Sequence, residues 1–501
     1  MNDIGSGAVV GPAVKRDGLR FLCCPACRGA LAETSATGLA CAKCGTTVAQ
    51  HDAIIDFVAG AMSTALDDID YDQRYAVNLA ASLHLYEVIA RTAGAKWPAS
   101  FGDAVEIGCG TGGFSMAFLS RAEVDHAVLT DVSVKMLQIC QARLQRMQGL
   151  MRVRDPTLVT FSGTETCLAP AAFDTCYGTA VLHHIIDVPT VLTRIHELLK
   201  PGGRAFFMEP ALPFHHALTS TMADILAVWS REGTVPEDLI VRAANWVSEI
   251  RCNVTNTGDV EVLADREDKH QFIAERVEAM ARAAGFTVAE ALPAGPDPTG
   301  ADTIGVYLGQ VGIDQTAFAR LQQIWPTAQQ RHFGSLAKRD QAPSYLFWLE
   351  KGDHRKPIRQ GRARTPQPLL IGDVPLRMWL ELRIETRGAG AAIVVSGWCV
   401  AAEQLRAIEL SVGPSQVRLP IWIARLDVLA AVNADAIYPN LHALCSGIQD
   451  EVPLAAAPRA SLTVDVAAVG VGDGRLKLQT VTLEPDGRAQ QIHISIRAGD
   501  R

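Results

Sequence analysis

The chain has 501 residues, 48% hydrophobic and 20% charged, with a net charge of −8. That length calls for roughly two to four domains with ample core and excludes a disordered chain. The acidic balance argues against a protein that lies along nucleic acid, and no uninterrupted apolar run is long enough to span a bilayer. Residues 1–18 lack the apolar core of a signal peptide and read as a disordered lead-in, so the expected location is cytoplasmic. Next come Cys24-Pro25-Ala26-Cys27 and Cys41-Ala42-Lys43-Cys44, two C-x-x-C knuckles thirteen residues apart. Each knuckle aims two thiolates at one point, and Cys24, Cys27, Cys41 and Cys44 together complete a tetrahedral sulfur shell for zinc. Reduced structural cysteines or two disulfides are the alternatives, and disulfides are unfavourable in a cytoplasmic protein. Cys23 is left over from this pattern.

The segment from Phe21 to Val58, with its CPAC start, its CAKC return and the closing Asp52-Ala53-Ile54-Ile55-Asp56-Phe57, resembles small zinc ribbons found beside methyltransferase domains. One relative is the ribbon subunit that activates translation-machinery methyltransferases. Another is the N-terminal ribbon of large-subunit rRNA guanine methyltransferases. The resemblance implies a domain over residues 19–60 with a structural zinc ion, because four thiolates leave no open coordination position.

From about Asp67 the apolar residues Tyr71, Tyr75, Leu79, Leu83, Leu85 and Val88 recur at helical intervals. Strands then alternate with helices. Strands are expected at Ala104–Gly108, His126–Asp131, Leu158–Phe161, Phe173–Gly178 and Arg204–Met208, with helices such as Val134–Met147 and Val188–Leu199 between them. Alternation of this kind implies a mostly parallel sheet covered by helices on both faces. Ligands of such sheets sit at the carboxyl ends of the strands. The first strand ends in Glu106-Ile107-Gly108-Cys109-Gly110-Thr111-Gly112-Gly113, a glycine turn that brings backbone close to a ligand. Gly108, Gly110 and Gly113 also satisfy the dinucleotide-binding pattern, and Asp131 at the end of the second strand suits a ribose in either class of enzyme.

Later motifs discriminate. Val105 to Gly113, Phe173 to His184 and the run Leu198-Leu199-Lys200-Pro201-Gly202-Gly203-Arg204 to Pro210 stand in the order and spacing of class I S-adenosylmethionine-dependent methyltransferases, which the chain resembles over residues 67–350. The resemblance implies a Rossmann-like, seven-stranded sheet. It places Gly108, Cys109, Gly110 and Gly112 in the turn beneath the amino-acid end of S-adenosylmethionine, with Glu106 supporting that turn. It puts Asp131 on the ribose, Val132 beside the adenine and Thr179 at the end of the fourth strand among the cofactor-binding residues. The family's adenine-binding acid is replaced here by Thr164, with Glu165 next to it.

Methyl transfer to a hydroxyl is helped by a general base. His183 and His184 follow the fourth strand, and His215 and His216 are expected in a loop after the fifth, close to Glu209. Each histidine is a candidate base or a packed structural side chain. Residues 211–256 form a helical insertion, read as an acceptor lid or a plain covering helix. Ile273–Ala284 is an amphipathic helix followed by a sixth strand, Phe286–Ala291, and Ser344–Leu349 is an antiparallel seventh.

Residues 351–375 form a basic, proline-containing linker, read as solvated. Beyond it, over residues 376–497, short alternating strands separated by glycine-rich turns predict an all-β sandwich. Ser396-Gly397-Trp398-Cys399-Val400, with Arg425-Leu426-Asp427-Val428 and Gly447-Ile448, resembles a sandwich module attached to glycosyltransferases and methyltransferases of bacterial glycan pathways. Trp398 is expected in the core ahead of a sugar-stacking role, and Arg425 with Asp427 as a structural pair. The leading expectation is a methyltransferase acting on a small molecule, saccharide or glycan precursor, at oxygen. An RNA or protein methyltransferase, with the ribbon gripping its substrate, is the second. A catalytically silent scaffold that recruits protein partners through ribbon and sandwich is the third.

Overall fold

The computed structural model describes residues 16–35, 38–58, 77–153, 155–259, 261–263, 266–295, 311–352, 375–387, 390–432, 438–454, 456–470 and 474–496. The expected lead-in (apart from Arg16 to Gly18), Tyr71, Tyr75 and nearly all of the basic linker lie outside these residues. No helix among the described residues is long and apolar enough to cross a membrane.

Three domains in series are expected; the chain instead divides into two compact units, each assembled from separated segments. The first comprises Met1–Pro210, Phe272–Gly295 and Ser344–Gln360. The second comprises Ala211–Gln271, Pro296–Pro343 and Gly361–Arg501.

The first unit is built on one eleven-stranded sheet, where seven strands are expected. Its strands are β1 (Leu31–Ser35), β2 (Gly38–Cys41), β3 (Thr47–His51), β4 (Ile54–Asp56), β5 (Asp103–Glu106), β6 (His126–Asp131), β7 (Thr157–Thr160), β8 (Phe173–Thr179), β9 (Leu199–Pro210), β10 (Val288–Ala294) and β11 (Ser344–Glu350). The order is β1-β2-β3-β4-β7-β6-β5-β8-β9-β11-β10. Strands β4 to β9 along this order are parallel, and β11 runs antiparallel between β9 and β10. The additional four strands belong to the cysteine-rich segment. Strand β4 pairs in parallel with β7, Ile54 opposite Leu158 and Ile55 opposite Val159. Ile54 and Ile55 are fully buried, and Ile54 joins the same apolar cluster as Leu129, Leu158 and Phe206. A segment of this length buries too little on its own, and it gains a core by extending a neighbour's sheet.

Helices α1 (Leu79–Ala93), α2 (Gly113–Arg121), α3 (Val134–Arg146) and α4 (Val188–Leu198) flank this sheet. Their starts are legible in local chemistry. Asn78, Ser133 and Asp187 each accept a bond from the backbone N–H three residues on, at 2.9, 3.3 and 3.1 Å. Helix α4 ends at Leu198, and Gly202, at φ +75°, turns the chain within β9.

In the second unit, α5 (Leu212–Glu232) and α6 (Glu237–Thr255) pack on each other, and α5 also packs on the helices Gln315–Phe333 and Asn440–Leu444. Residues 211–256, expected within the methyltransferase domain, therefore cluster with the C-terminal region. That region has two four-stranded antiparallel sheets. One is ordered β16-β13-β12-β19, from Gly447–Leu454, Gly390–Ala401, Leu376–Arg387 and Gln490–Ile496. The other is ordered β15-β14-β17-β18, from Ser415–Pro420, Leu405–Val412, Leu462–Gly470 and Arg475–Leu483. Their inner faces share one core that includes Leu380, Ile393, Val395, Cys399, Leu410 and Val466. The expected all-β module also holds the short helices Leu426–Val432 and Asn440–Leu444. Trp398 is not a core residue. Side chains alternate along β13, so Cys399 faces inward and Trp398 lies half-buried on the outer face, directly across from Trp379. Arg425 clasps Asp427 through two bonds of 2.8 and 2.6 Å and also donates to the Gly397 carbonyl.

Candidate functional site

The carboxyl ends of β5, β6 and β8 bring the glycine turn, Asp131 and the His183 segment to one edge of the first unit's sheet. Gly108, Gly110 and Gly112 have φ of +66°, +53° and +86°, the left-handed region that glycine enters at no steric cost. Space is equally restrictive. A Cβ on Gly108 would sit 2.2 Å from Val181 Cγ2, and one on Gly112 would sit 2.8 Å from Cys140 Sγ. The turn is braced by bonds from both sides. Asp131 Oδ2 accepts from the Gly110 N–H at 2.9 Å while its Oδ1 accepts from Ser133. Arg143, on α3, donates to the Thr111 carbonyl and hydroxyl at 2.7 and 2.9 Å. Cys109 is buried and its N–H donates to the Thr130 carbonyl.

Glu106 is buried and accepts from the Ser115 hydroxyl at 2.6 Å. Burial pushes its carboxyl up to about 7, against the pull of Ser115. Burial likewise raises Asp131, against the hydrogen bonds that favour its charged form. Val132 follows Asp131 and is half-buried. Thr164 is exposed, and Glu165 turns back on its own loop, accepting from the Ser162 N–H at 2.8 Å and hydroxyl at 2.6 Å.

Beyond Thr179, the last residue of β8, Ala180 adopts φ +53°, a strained conformation for a non-glycine residue. The turn that follows is organised by Glu209 at the end of β9. Its carboxylate accepts from the backbone N–H groups of Val181 at 3.0 Å, Leu182 at 2.8 Å and His183 at 3.3 Å. It also lies 2.7 Å from His183 Nδ1, and its side chain is fully buried. The same carboxylate therefore shapes the turn and fixes the imidazole. His184 is half-buried with its ring 3.9 Å from that of His183. Sequence reading names Glu209 only as a neighbour of His215 and His216, with no role, and does not reach Arg143. The one signal for Glu209 is an acid that directly follows the apolar run Ala205 to Met208 within its strand.

His215 and His216 sit in the first turns of α5, not in a loop, because Pro213 is accommodated at the start of a helix. Both are bonded within the second unit. His215 Nδ1 lies 2.8 Å from the Ala211 carbonyl, and His216 Nδ1 lies 3.0 Å from Arg251 Nη1. Burial, the Arg251 guanidinium and His332 together hold His216 down to about 4.

In the ribbon, Cys24 Sγ lies 3.6 Å from Cys44 Sγ, and Cys27 Sγ 3.4 Å from Cys41 Sγ. All four sulfurs fall within 4.8 Å of one another. A tetrahedron of thiolates around zinc has sulfur–sulfur edges of about 3.8 Å for bonds of about 2.3 Å, so the set fits the ion closely. The two knuckles repeat one geometry. The Arg28 N–H donates to the Cys24 carbonyl at 2.8 Å, and the Gly45 N–H to the Cys41 carbonyl at 2.9 Å. Arg28 and Gly45 are both left-handed, at φ +56° and +74°.

Residues 105–205 match the family model described as a methyltransferase domain. No curated protein sequence shows significant similarity to the chain. Several solved structures show a distant likeness. The phosphoethanolamine N-methyltransferase 2 of Haemonchus contortus is 17% identical, with a TM-score of 0.32 over 54% of this chain and 52% of that one. The chain thus spans about half the length of the Haemonchus protein. A putative sarcosine dimethylglycine methyltransferase from Galdieria sulphuraria is 12% identical, with a TM-score of 0.33 over 57% and 98%. A putative methyltransferase from Bacillus halodurans is 12% identical, with a TM-score of 0.30 over 54% and 98%. Residues 105–205 thus carry a methyltransferase domain.

Proposed function

We propose that the protein transfers a methyl group to a hydroxyl oxygen of a small-molecule acceptor, with His183 as the general base. The observation that carries this reading is the buried His183–Glu209 pair beside the glycine turn. When bound, S-adenosylmethionine supplies a methyl group on a sulfonium for in-line displacement. We assign the turn Gly108, Cys109, Gly110 and Gly112 to its amino-acid end, with Glu106 facing the ammonium. Asp131 accepts from the ribose hydroxyls, Val132 and Thr179 border the pocket, and Thr164 and Glu165 meet the adenine. Glu209 holds His183 through Nδ1, and in this reading the imidazole takes the proton from the acceptor hydroxyl. The carboxylate then stabilises the imidazolium. His184 contributes contacts rather than proton transfer. His216 is not the base in this reading, since an imidazole held near 4 is too weak a base for a hydroxyl, and His215 is engaged with the Ala211 carbonyl of its own helix turn.

The acceptor class we assign is a saccharide or glycan precursor. The half-buried Trp379 and Trp398, side by side on the outer face of the sandwich, support it, because sugar rings stack on such indoles. Zinc on Cys24, Cys27, Cys41 and Cys44 is structural, with a closed coordination shell. Methyl-labelled S-adenosylmethionine incubated with fractionated host extract tests the assignment. Label recovered as alkali-stable O-methyl sugar supports it, and label recovered in RNA or protein removes it.

A further inference from the structure

Cys23, the cysteine left over from the zinc pattern, makes contacts that run from the ribbon to the loop between β7 and β8. Its thiol donates to the Thr166 carbonyl at 3.0 Å and lies 3.4 Å from the Leu168 carbonyl. Its N–H donates to the Cys167 carbonyl at 2.8 Å, and the Ala169 N–H returns a bond to the Phe21 carbonyl at 2.8 Å. Thr166 adds a further strap, its hydroxyl donating to the Pro25 carbonyl at 3.2 Å. The same loop is gripped at its other end. The Thr160 hydroxyl donates to Asp56 at 2.7 Å and accepts from the N–H groups of Phe57 and Val58 at 2.8 and 3.0 Å. The loop thus enclosed holds Ser162, Thr164 and Glu165, and its first N–H, that of Phe161, donates to the Asp131 carbonyl at 2.9 Å.

We infer that the ribbon sets the position of the adenine loop, with Cys23 as the positioning residue, so that metal occupancy and donor affinity are thermodynamically linked. This rests on the S-adenosylmethionine reading above. Cys23 directly precedes the metal ligand Cys24, and Pro25 lies inside the first knuckle. A metal that holds Cys24 and Cys27 therefore holds the atoms that strap the loop. The loop carries no acid at the usual adenine position, so its own backbone and the Thr164 and Glu165 side chains must be held in place by something else. The ribbon does this in cis. Linkage requires reciprocity: if zinc tightens the donor by a given factor, the donor tightens zinc by the same factor.

The test is calorimetry on the full, zinc-loaded chain with S-adenosylhomocysteine and with adenosine as probes. Cys23→Ala is expected to retain about one zinc ion per chain. It should weaken both probes by the same factor, about 3- to 10-fold, the worth of one hydrogen bond. Cys23→Ser restores a donor to the Thr166 carbonyl and is expected to recover affinity to within about twofold. A purely structural role would lower the melting temperature without this adenosine-specific, serine-rescued loss. Stripping zinc with a chelator should weaken S-adenosylhomocysteine further, and saturating S-adenosylhomocysteine should shift zinc release to a chromogenic chelator by the matching factor. Unchanged adenosine affinity in Cys23→Ala, or a loss that serine does not rescue, overturns the inference. If metal removal unfolds the chain, the two zinc-loaded Cys23 variants decide it. A wild-type chain that binds neither probe overturns the donor reading itself, a result distinct from wild-type binding that is indifferent to Cys23.

Discussion

His183 in the first unit and His216 in the second both engage a neighbour through Nδ1, yet their neighbours carry opposite charge. His183 faces the Glu209 carboxylate, which also accepts three backbone N–H groups. His216 faces Arg251, which is 3% exposed and has no carboxylate among its described partners. A carboxylate stabilises the protonated imidazole and fixes which nitrogen is available, whereas a guanidinium penalises protonation. The difference teaches that a histidine's chemistry is set by the group behind it, and that a pair of histidines in sequence says little until that group is known.

The largest expected effect separates the two sites by turnover. His183→Ala should lower the rate at saturating acceptor by about 10²- to 10⁴-fold, while His216→Ala should cost less than about 10-fold. The readout is methyl transfer from labelled donor, and equal losses at the two positions would break the contrast. Next is stability, measured by denaturant unfolding. Glu209→Ala leaves buried N–H groups without an acceptor and should cost about 1–3 kcal/mol or more. Arg251→Met should be neutral or stabilising by about 1–4 kcal/mol, because it removes a buried charge that has no ionic partner among the described residues. A strong destabilisation by Arg251→Met would show that its charge is compensated.

A smaller effect concerns Glu106, whose folded-state carboxyl stands near 7 against about 4.3 in the unfolded chain. The folded state binds the proton more tightly, so this group's contribution is fully present below about 4.3 and is lost as pH rises toward 7. Unfolding curves of the ligand-free chain should show this slope, and Glu106→Gln should flatten it. The smallest signal is spectroscopic. The His216 ring resonances should stay constant from pH 8 down to about 5.5, since this imidazole is held near 4. A midpoint near 6.5 would erase the difference between the two environments.

Much of the fold was legible where short-range patterns are strong. Strand His126–Asp131 has the bounds expected from its apolar run, and Asp187 caps α4 as its place before Val188-Pro189 predicts. The sandwich strands β16 and β19 escaped reading. The first, Gly447-Ile448-Gln449-Asp450-Glu451-Val452-Pro453-Leu454, mixes acids, a glycine and a proline, and the second buries only Ile492 fully. The first lacks the alternation that marks a half-buried strand, whereas the second carries it only over Ile492, Ile494 and Ile496, alternating with His493 and Ser495. The cysteine knuckles were legible because a metal site is written in local spacing. Glu209 was not, because its partner His183 is 26 residues away and an acid before a proline reads as a surface turn.

The sequence by itself determined the spacing of the two cysteine knuckles, the glycine turn with Glu106 before it, the alternation of strands and helices, and the change to short strands after residue 375. These are properties of contiguous residues, where backbone preference and periodicity act within a few positions. Only the tertiary structure decided that the ribbon continues the large sheet through β4 and β7, that residues 211–256 cluster with the C-terminal sheets, and that Trp398 faces outward. It alone paired Glu209 with His183 and Arg251 with His216. Each of those outcomes depends on which distant surfaces can be buried together and on which charge is left inside once they are, and that balance is struck across the whole packed unit.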